Sequence, residues 1–217
     1  MRVGSLLAVG ALLAATSDAR AEIFMNYTGV SGTVTQPNYA GDVQLDSFSI
    51  SVGRSVAPVT GGSGDRESGG PSLSDVQVTG PTTSASVGLL DQAFEGEGEP
   101  VSIYLTKPIG KMPAVTYAEW DLTDALIDHY ATATDANDNS EDQLSLNFTK
   151  VEYTWFNLDN GGQVTGSESV TFDARTGQAT TSSTGDVTGF QFVTAVPEPA
   201  TAGLLLLAAP LLVRRRR

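Results

Sequence analysis

The chain has 217 residues, 25 of them acidic against 12 basic, with one histidine, no cysteine and a formal net charge of −13. Disulfides, thiolate metal sites and thiol nucleophiles are therefore excluded, and so is a multi-histidine metal centre. An acidic surface repels phosphate backbones and anionic headgroups, so nucleic acid is not expected as a partner.

The first predicted element is an export signal. Arg2 precedes an apolar run from Val3 to about Ala15, and Ala19-Arg20-Ala21 supplies the small-residue pattern of a cleavage site. The run is shorter than the roughly 20 residues a membrane-spanning helix needs. Residues 1–21 are thus read as a signal peptide cut after Ala21, a step that requires signal peptidase. Half of the basic residues lie in the two end segments (Arg2, Arg20 and Arg214 to Arg217), so the body is more acidic than the whole chain.

The body, residues 22–175, reads as strands. In 41–55, Val43 and Leu45 share one phase, and Phe48, Ile50 and Val52 the other; the switch at Asp46-Ser47 predicts a bulge or bend. Residues 57–72 form a glycine-rich segment too polar to bury, read as a long loop. Residues 81–100 predict the one helix. Thr and Ser open it; Val87, Leu90 and Phe94 recur at helical spacing, with Leu89 and Ala93 extending the stripe; Gly96 and Gly98 end it. Residues 101–106 place Val101, Ile103 and Leu105 on one face. A long strand follows over 117–134. In 142–159, Leu144, Leu146 and Phe148 occupy one phase, and Val151, Tyr153 and Trp155 the other. Asp159-Asn160-Gly161-Gly162-Gln163 marks a hairpin turn before a last short strand at 169–173. The Thr/Ser/Gly-rich residues 176–195 read as a flexible spacer. The tail, 196–217, joins Val196-Pro197-Glu198-Pro199 to an apolar run of twelve residues and the four arginines Arg214, Arg215, Arg216 and Arg217.

No catalytic or cofactor motif stands out. His129 reads as a polar strand residue, and no G-x-S-x-G elbow accompanies it. Glu95, Glu97 and Glu99 alternate with glycine, which gives a solvated loop and not a rigid carboxylate pair. Residues 135–142 are oxygen-rich, and Asp135, Asn137 and Asn139 fit alternate calcium-loop positions. Ser140 stands where glycine is required and Leu146 where glutamate is, so an EF-hand is rejected and a polar hairpin loop is expected.

The strand pattern resembles a known family. The segments 41–55, 73–80, 101–107 and 120–130, and above all Glu141-Asp142-Gln143-Leu144-Ser145-Leu146-Asn147-Phe148-Thr149-Lys150-Val151-Glu152-Tyr153-Thr154-Trp155, are similar to Hcp, the tube protein of the type VI secretion system. The resemblance implies a mainly β fold, a barrel of two antiparallel sheets with one short α-helix, and assembly into hexameric rings that stack. The tail resembles a PEP-CTERM sorting signal. That resemblance implies recognition by an exosortase, cleavage near Pro-Glu-Pro, and a transient stay of a short C-terminal helix in the inner membrane, its arginines held on the cytoplasmic side.

Three functions are compatible with these signals. The first is a non-enzymatic exported protein, structural or adhesive, at the cell surface or in an exopolysaccharide matrix. The second is a type VI tube subunit or effector-like protein. The third is an extracellular glycan-binding protein or hydrolase using Trp120, Trp155 and Tyr153.

Overall fold

A strand with one buried face keeps its apolar residues two apart, so a run that changes phase must change sheet. A computed structural model shows this at each switch. It describes residues 20–56, 68–110, 112–137 and 139–185; the expected signal helix and hydrophobic C-terminal helix fall outside them.

The strands are β1 (Ile23–Tyr27), β2 (Val43–Leu45), β3 (Ser47–Ser49), β4 (Val52–Val56), β5 (Ser68–Leu73) and β6 (Val76–Pro81), then helix α1 (Ala85–Glu95). They continue with β7 (Glu99–Ile109), β8 (Met112–Thr134), β9 (Ser140–Asn147), β10 (Lys150–Leu158), β11 (Val164–Asp173) and β12 (Gln178–Gly185). Every pairing is antiparallel. One sheet runs β12-β11-β10-β8-β7-β1-β2 and the other β3-β6-β9-β8, so the long β8 belongs to both. The mainly β architecture, with a single helix among the described residues, agrees with the sequence reading.

Three crossings connect the sheets. The chain bends at Asp46 and passes from β2 in the first sheet to β3 in the second. It crosses back between β9 and β10, so Leu146 and Val151 enter the same core from opposite sides although they differ in phase. Within β8 the crossing falls at Asp124, whose φ of 57° breaks the alternation: Leu122 is buried before it, Ala125 and Ile127 after it. A non-glycine residue is uncommon at such φ, and aspartate is among the side chains that tolerate it.

Between the sheets lies one apolar core of Met25, Tyr27, Val76, Val78, Leu89, Val101, Ile103, Leu122, Ile127, Leu144, Leu146 and their neighbours. Among the described residues every buried side-chain N or O has a hydrogen-bond partner, as stable interiors require. The sheets approach closely where β6 passes β2. A Cβ on Gly80 would stand 2.7 Å from the Gln44 carbonyl oxygen, a backbone atom that cannot step aside. Gly80→Ala is therefore expected to lower stability by about 1–3 kcal/mol through overpacking. Urea unfolding checks this, and a variant as stable as the parent would show that the sheets can part there.

Three elements differ from their sequence reading. The segment 57–72 is not loop throughout, because β5 begins at Ser68 and pairs with β4 as a separate two-stranded ribbon. The last strand is longer than 169–173, beginning at Val164. Residues read as spacer carry β12, which pairs with β11 over its whole length. Thr and Ser are β-compatible, and a polar strand needs no buried face when it lies at an edge. Among the described residues no helix is long and apolar enough to cross a membrane.

Candidate assembly surfaces

The helix stripe read from the sequence is present but divided: Leu89 and Ala93 pack on the core, whereas Val87, Leu90 and Phe94 face outward. α1 buries Ala85 and Leu89. Val87 is 74 % exposed and Phe94 76 %, with Leu90 also exposed between them. The reason lies in the anchoring of the helix. Asp142 on β9 is buried and accepts hydrogen bonds from Thr82 Oγ1 at 2.8 Å and from the Ser86 hydroxyl. The Thr83 hydroxyl accepts from the Ala85 amide at 3.2 Å, and the Ser86 hydroxyl from the Thr83 amide at 2.9 Å. These contacts turn the Ala85–Leu89 side onto the sheets. Val87, Leu90 and Phe94 remain as an apolar stripe at three- and four-residue spacing with no partner among the described residues.

A second apolar surface continues the inner face of the first sheet beyond the core. Cross-strand register places Trp120, Tyr153 and Val170 in one row, and Trp155 one pair along from Tyr153. Trp120 and Tyr153 stack at 4.5 Å between centroids, and Phe48 of β3 covers Trp120 at 5.6 Å. Tyr117 meets Trp155 edge-on at 5.3 Å, with Lys107 Nζ 5.6 Å from the Tyr117 ring centre. Burial fades outward along this flank: Trp120 packs on the core, whereas Trp155 is 40 % and Val170 38 % exposed.

Two backbone features add to these patches. β12 is exposed along its length, and among the described residues no strand pairs with its far side. Ser167 and Thr184, and Ser169 and Ser182, join hydroxyls across the β11–β12 ladder at 2.9 and 2.8 Å. The β4–β5 ribbon exposes Val52 and Val56, and two strands alone are marginal in water.

The family model described as type VI secretion system effector, Hcp, matches residues 24–155, more than half of the chain. The chain belongs to the Hcp family. Solved structures agree with this. One titled as a type six secretion system protein superposes with a TM-score of 0.66 at 16 % identity, covering 74 % of this chain and 99 % of its own. Hcp1 from Salmonella typhimurium gives 0.59 at 15 %, with the same coverages. A type VI secretion system effector from Yersinia pestis gives 0.51 at 20 %, covering 70 % and 98 %. At such identities these neighbours establish the Hcp fold alone. No curated protein sequence matches the chain significantly. The helix stripe, Trp155 and the β4–β5 ribbon fall inside the Hcp-matched region. Val170 and β12 follow it.

The expected processing residues divide between described and undescribed parts of the chain. Ala19, Val196, Pro197, Glu198, Pro199 and Arg214 to Arg217 lie outside the described residues. Ala21 is exposed immediately before the first pinned residue. Glu22 is that residue: its carbonyl accepts from the Thr106 amide at 3.0 Å and the Thr106 hydroxyl at 2.9 Å. Among the described residues no three His, Asp or Glu converge in a way that could hold a metal ion. The Asp135 carboxylate is committed to its own hairpin, accepting from the Asn137 and Asn139 amides at 2.7 and 3.1 Å and from Asn139 Nδ2 at 2.8 Å. The Asn139 and Asn137 hydrogen bonds hold its pKa at about 2. His129 is exposed on β8.

Proposed function

We propose that this Hcp-family chain is a non-enzymatic structural subunit that assembles with copies of itself into a closed ring, the role of a tube subunit. The observation that carries the reading is the pair of unlike apolar surfaces, the α1 stripe and the Trp155–Val170 flank. One self-complementary patch makes a two-fold dimer; two different patches that fit each other make a head-to-tail contact, which closes into a ring when the rotation allows. Contiguous exposed apolar patches mark interaction surfaces.

Sedimentation velocity on the purified mature chain tests this. Ring-sized particles are expected at high protein concentration and moderate salt, the salt screening the acidic surfaces from one another. Trp155→Glu and Phe94→Glu are each expected to weaken association by about 2 kcal/mol or more, roughly 30-fold, as central apolar contacts do. A wild-type chain that stays monomeric overturns the reading.

A second element of the function rests on the ends of the sequence. Ala19-Arg20-Ala21 with its apolar run, and Val196-Pro197-Glu198-Pro199 with Arg214 to Arg217, favour export and sorting by an exosortase to the cell surface or an exopolysaccharide matrix. Cleavage after Ala21 spares the fold, because β1 and the Glu22–Thr106 contact remain. Intact-mass measurement on protein from surface and soluble fractions decides the matter. A chain that keeps both ends in every fraction excludes this route and leaves the ring subunit acting where it is made.

A further inference from the structure

The opposite face of the first sheet carries a cleft that lies apart from the α1 stripe and the Trp155–Val170 flank. Tyr104 on β7 and Glu119 on β8 are cross-strand partners. Their chain neighbours Ile103 and Trp120 turn toward the core, so alternation sends Tyr104 and Glu119 out on the other side. Tyr39, from the segment between β1 and β2, forms the roof. Its ring stacks on Phe24 at 4.5 Å, lies 5.7 Å from the Tyr104 ring, and its hydroxyl is 2.6 Å from Thr116 Oγ1. Phe156 and Leu158 of β10 complete the wall. The cleft is open to solvent and has a volume of about 320 Å³, at the small end of ligand pockets.

The charges that act on Glu119 among the described residues are carboxylates. Asp121 lies two residues along β8, and Glu152 on β10 adds a second carboxylate. From β7 come Tyr104 and Ser102, the latter donating to Asp121, while Lys107 farther along β7 holds its Nζ 5.6 Å from the Tyr117 ring centre; Asp42, beyond Tyr104, is acidic too. Among the described residues no lysine, arginine or histidine lines the cleft. Burial first, then Asp121 and Glu152, push the Glu119 carboxyl up to about 7. Glu119 is thus an aromatic-walled, half-buried acid with no cation lining its cleft among the described residues, on a chain of net charge −13.

We propose that this cleft binds a small organic cation with a guanidinium or primary ammonium head, the head pairing with Glu119 and the cation's flat or apolar part lying on Tyr104 and Tyr39. Carboxylate plus aromatic face is the combination that recognises such groups, by ion pairing and by attraction to the ring quadrupole. A neutral ligand leaves the carboxylate unpaired. A hard metal ion needs several oxygen ligands, and the walls here are mostly rings and aliphatic side chains. Because only ionised Glu119 pairs with a cation, binding strengthens as pH rises through 7 and releases a proton where Glu119 is still protonated.

Titration calorimetry on the mature chain tests this with two probes, agmatine and the capped peptide acetyl-Gly-Arg-Gly-amide. One-site binding is expected near pH 8, at least tenfold weaker near pH 5.5, with proton release near neutrality. Glu119→Gln is expected to abolish it, and Tyr104→Leu to weaken it severalfold while leaving the pH dependence in place. Binding of both probes assigns the cation to a side chain of a protein partner, and binding of agmatine alone assigns it to a free amine. Absence of saturable binding to the wild type overturns the proposal, as does equal binding by Glu119→Gln, the mark of diffuse attraction to an acidic surface. The stability expected of Glu119→Gln separates loss of binding from loss of fold.

Discussion

Replacing Asp142 with alanine is expected to cost about 3 kcal/mol of folding stability. This carboxylate is 3 % exposed and is the point where α1, the end of β6 and β9 meet. One oxygen accepts from Thr82 Oγ1 at 2.8 Å and the other from the Ser86 hydroxyl. Hydrogen bonds to a charged group are worth about 1.5–3 kcal/mol, and hydroxyls left dry and unpaired add their own penalty. The loss is not confined to one bond, because Ser86 also accepts from the Thr83 amide at the start of the helix. Asp142→Asn keeps an acceptor oxygen and loses the charge, so its cost should be about half as large. Urea unfolding measures both. A double-mutant cycle with Ser86→Ala should return a coupling of about 1–2 kcal/mol. An alanine variant within 0.5 kcal/mol of the parent would show that Asp142 does not set the helix, and the outward aim of Phe94 would need another cause.

Glu119→Gln is expected to stabilise the protein by about 2 kcal/mol near pH 8 and to change nothing near pH 4. In the folded chain the carboxyl titrates at about 7 in place of an ordinary 4.5, chiefly through burial and then through Asp121 and Glu152. A raised carboxyl pKa means that the folded state binds more protons than the unfolded state between those two values. Stability therefore falls as pH rises through that window, and the full penalty stands above pH 7. The full shift would correspond to over 3 kcal/mol; solvent reaching the half-buried group reduces that to about 2. Glutamine carries no charge and fills the same volume, so it removes the penalty without opening a cavity. Thermal unfolding of both forms across pH checks the sign. Parallel curves would show that Glu119 ionises freely.

Several parts of this architecture are written locally. Asp46 and the step from Phe148 to Thr149 both mark a phase change, and both are crossings between sheets. The same sign exists inside β8, where Leu122 and Ala125 are an odd number apart, but a run of 23 residues with aromatic and β-branched side chains on both phases conceals it. The turn at Asp159 is legible because aspartate can accept the amides of residues two and four ahead, as it does from Gly161 and Gln163 at 2.8 Å each. Asp173 does likewise with the Arg175 and Thr176 amides, followed by Gly177 at φ 67°. That signal could have announced β12, but the surrounding Thr, Ser and Gly suggest a spacer.

The sequence by itself determined the β class, the alternating core positions, the position of the single helix and the segments that carry the Hcp resemblance. These follow from periodicities of two and 3.6 residues, which each stretch of chain carries within itself. The tertiary structure alone decided which part of the helix stripe faces the core, because Asp142 reaches Ser86 from 56 residues away. It alone brought Trp155 beside Tyr117, and Glu119 beneath Tyr39, across strands distant in sequence. Burial and the sum of nearby charges are properties of neighbours in space, so no spacing along the chain marks Glu119 as different from the other acids around it.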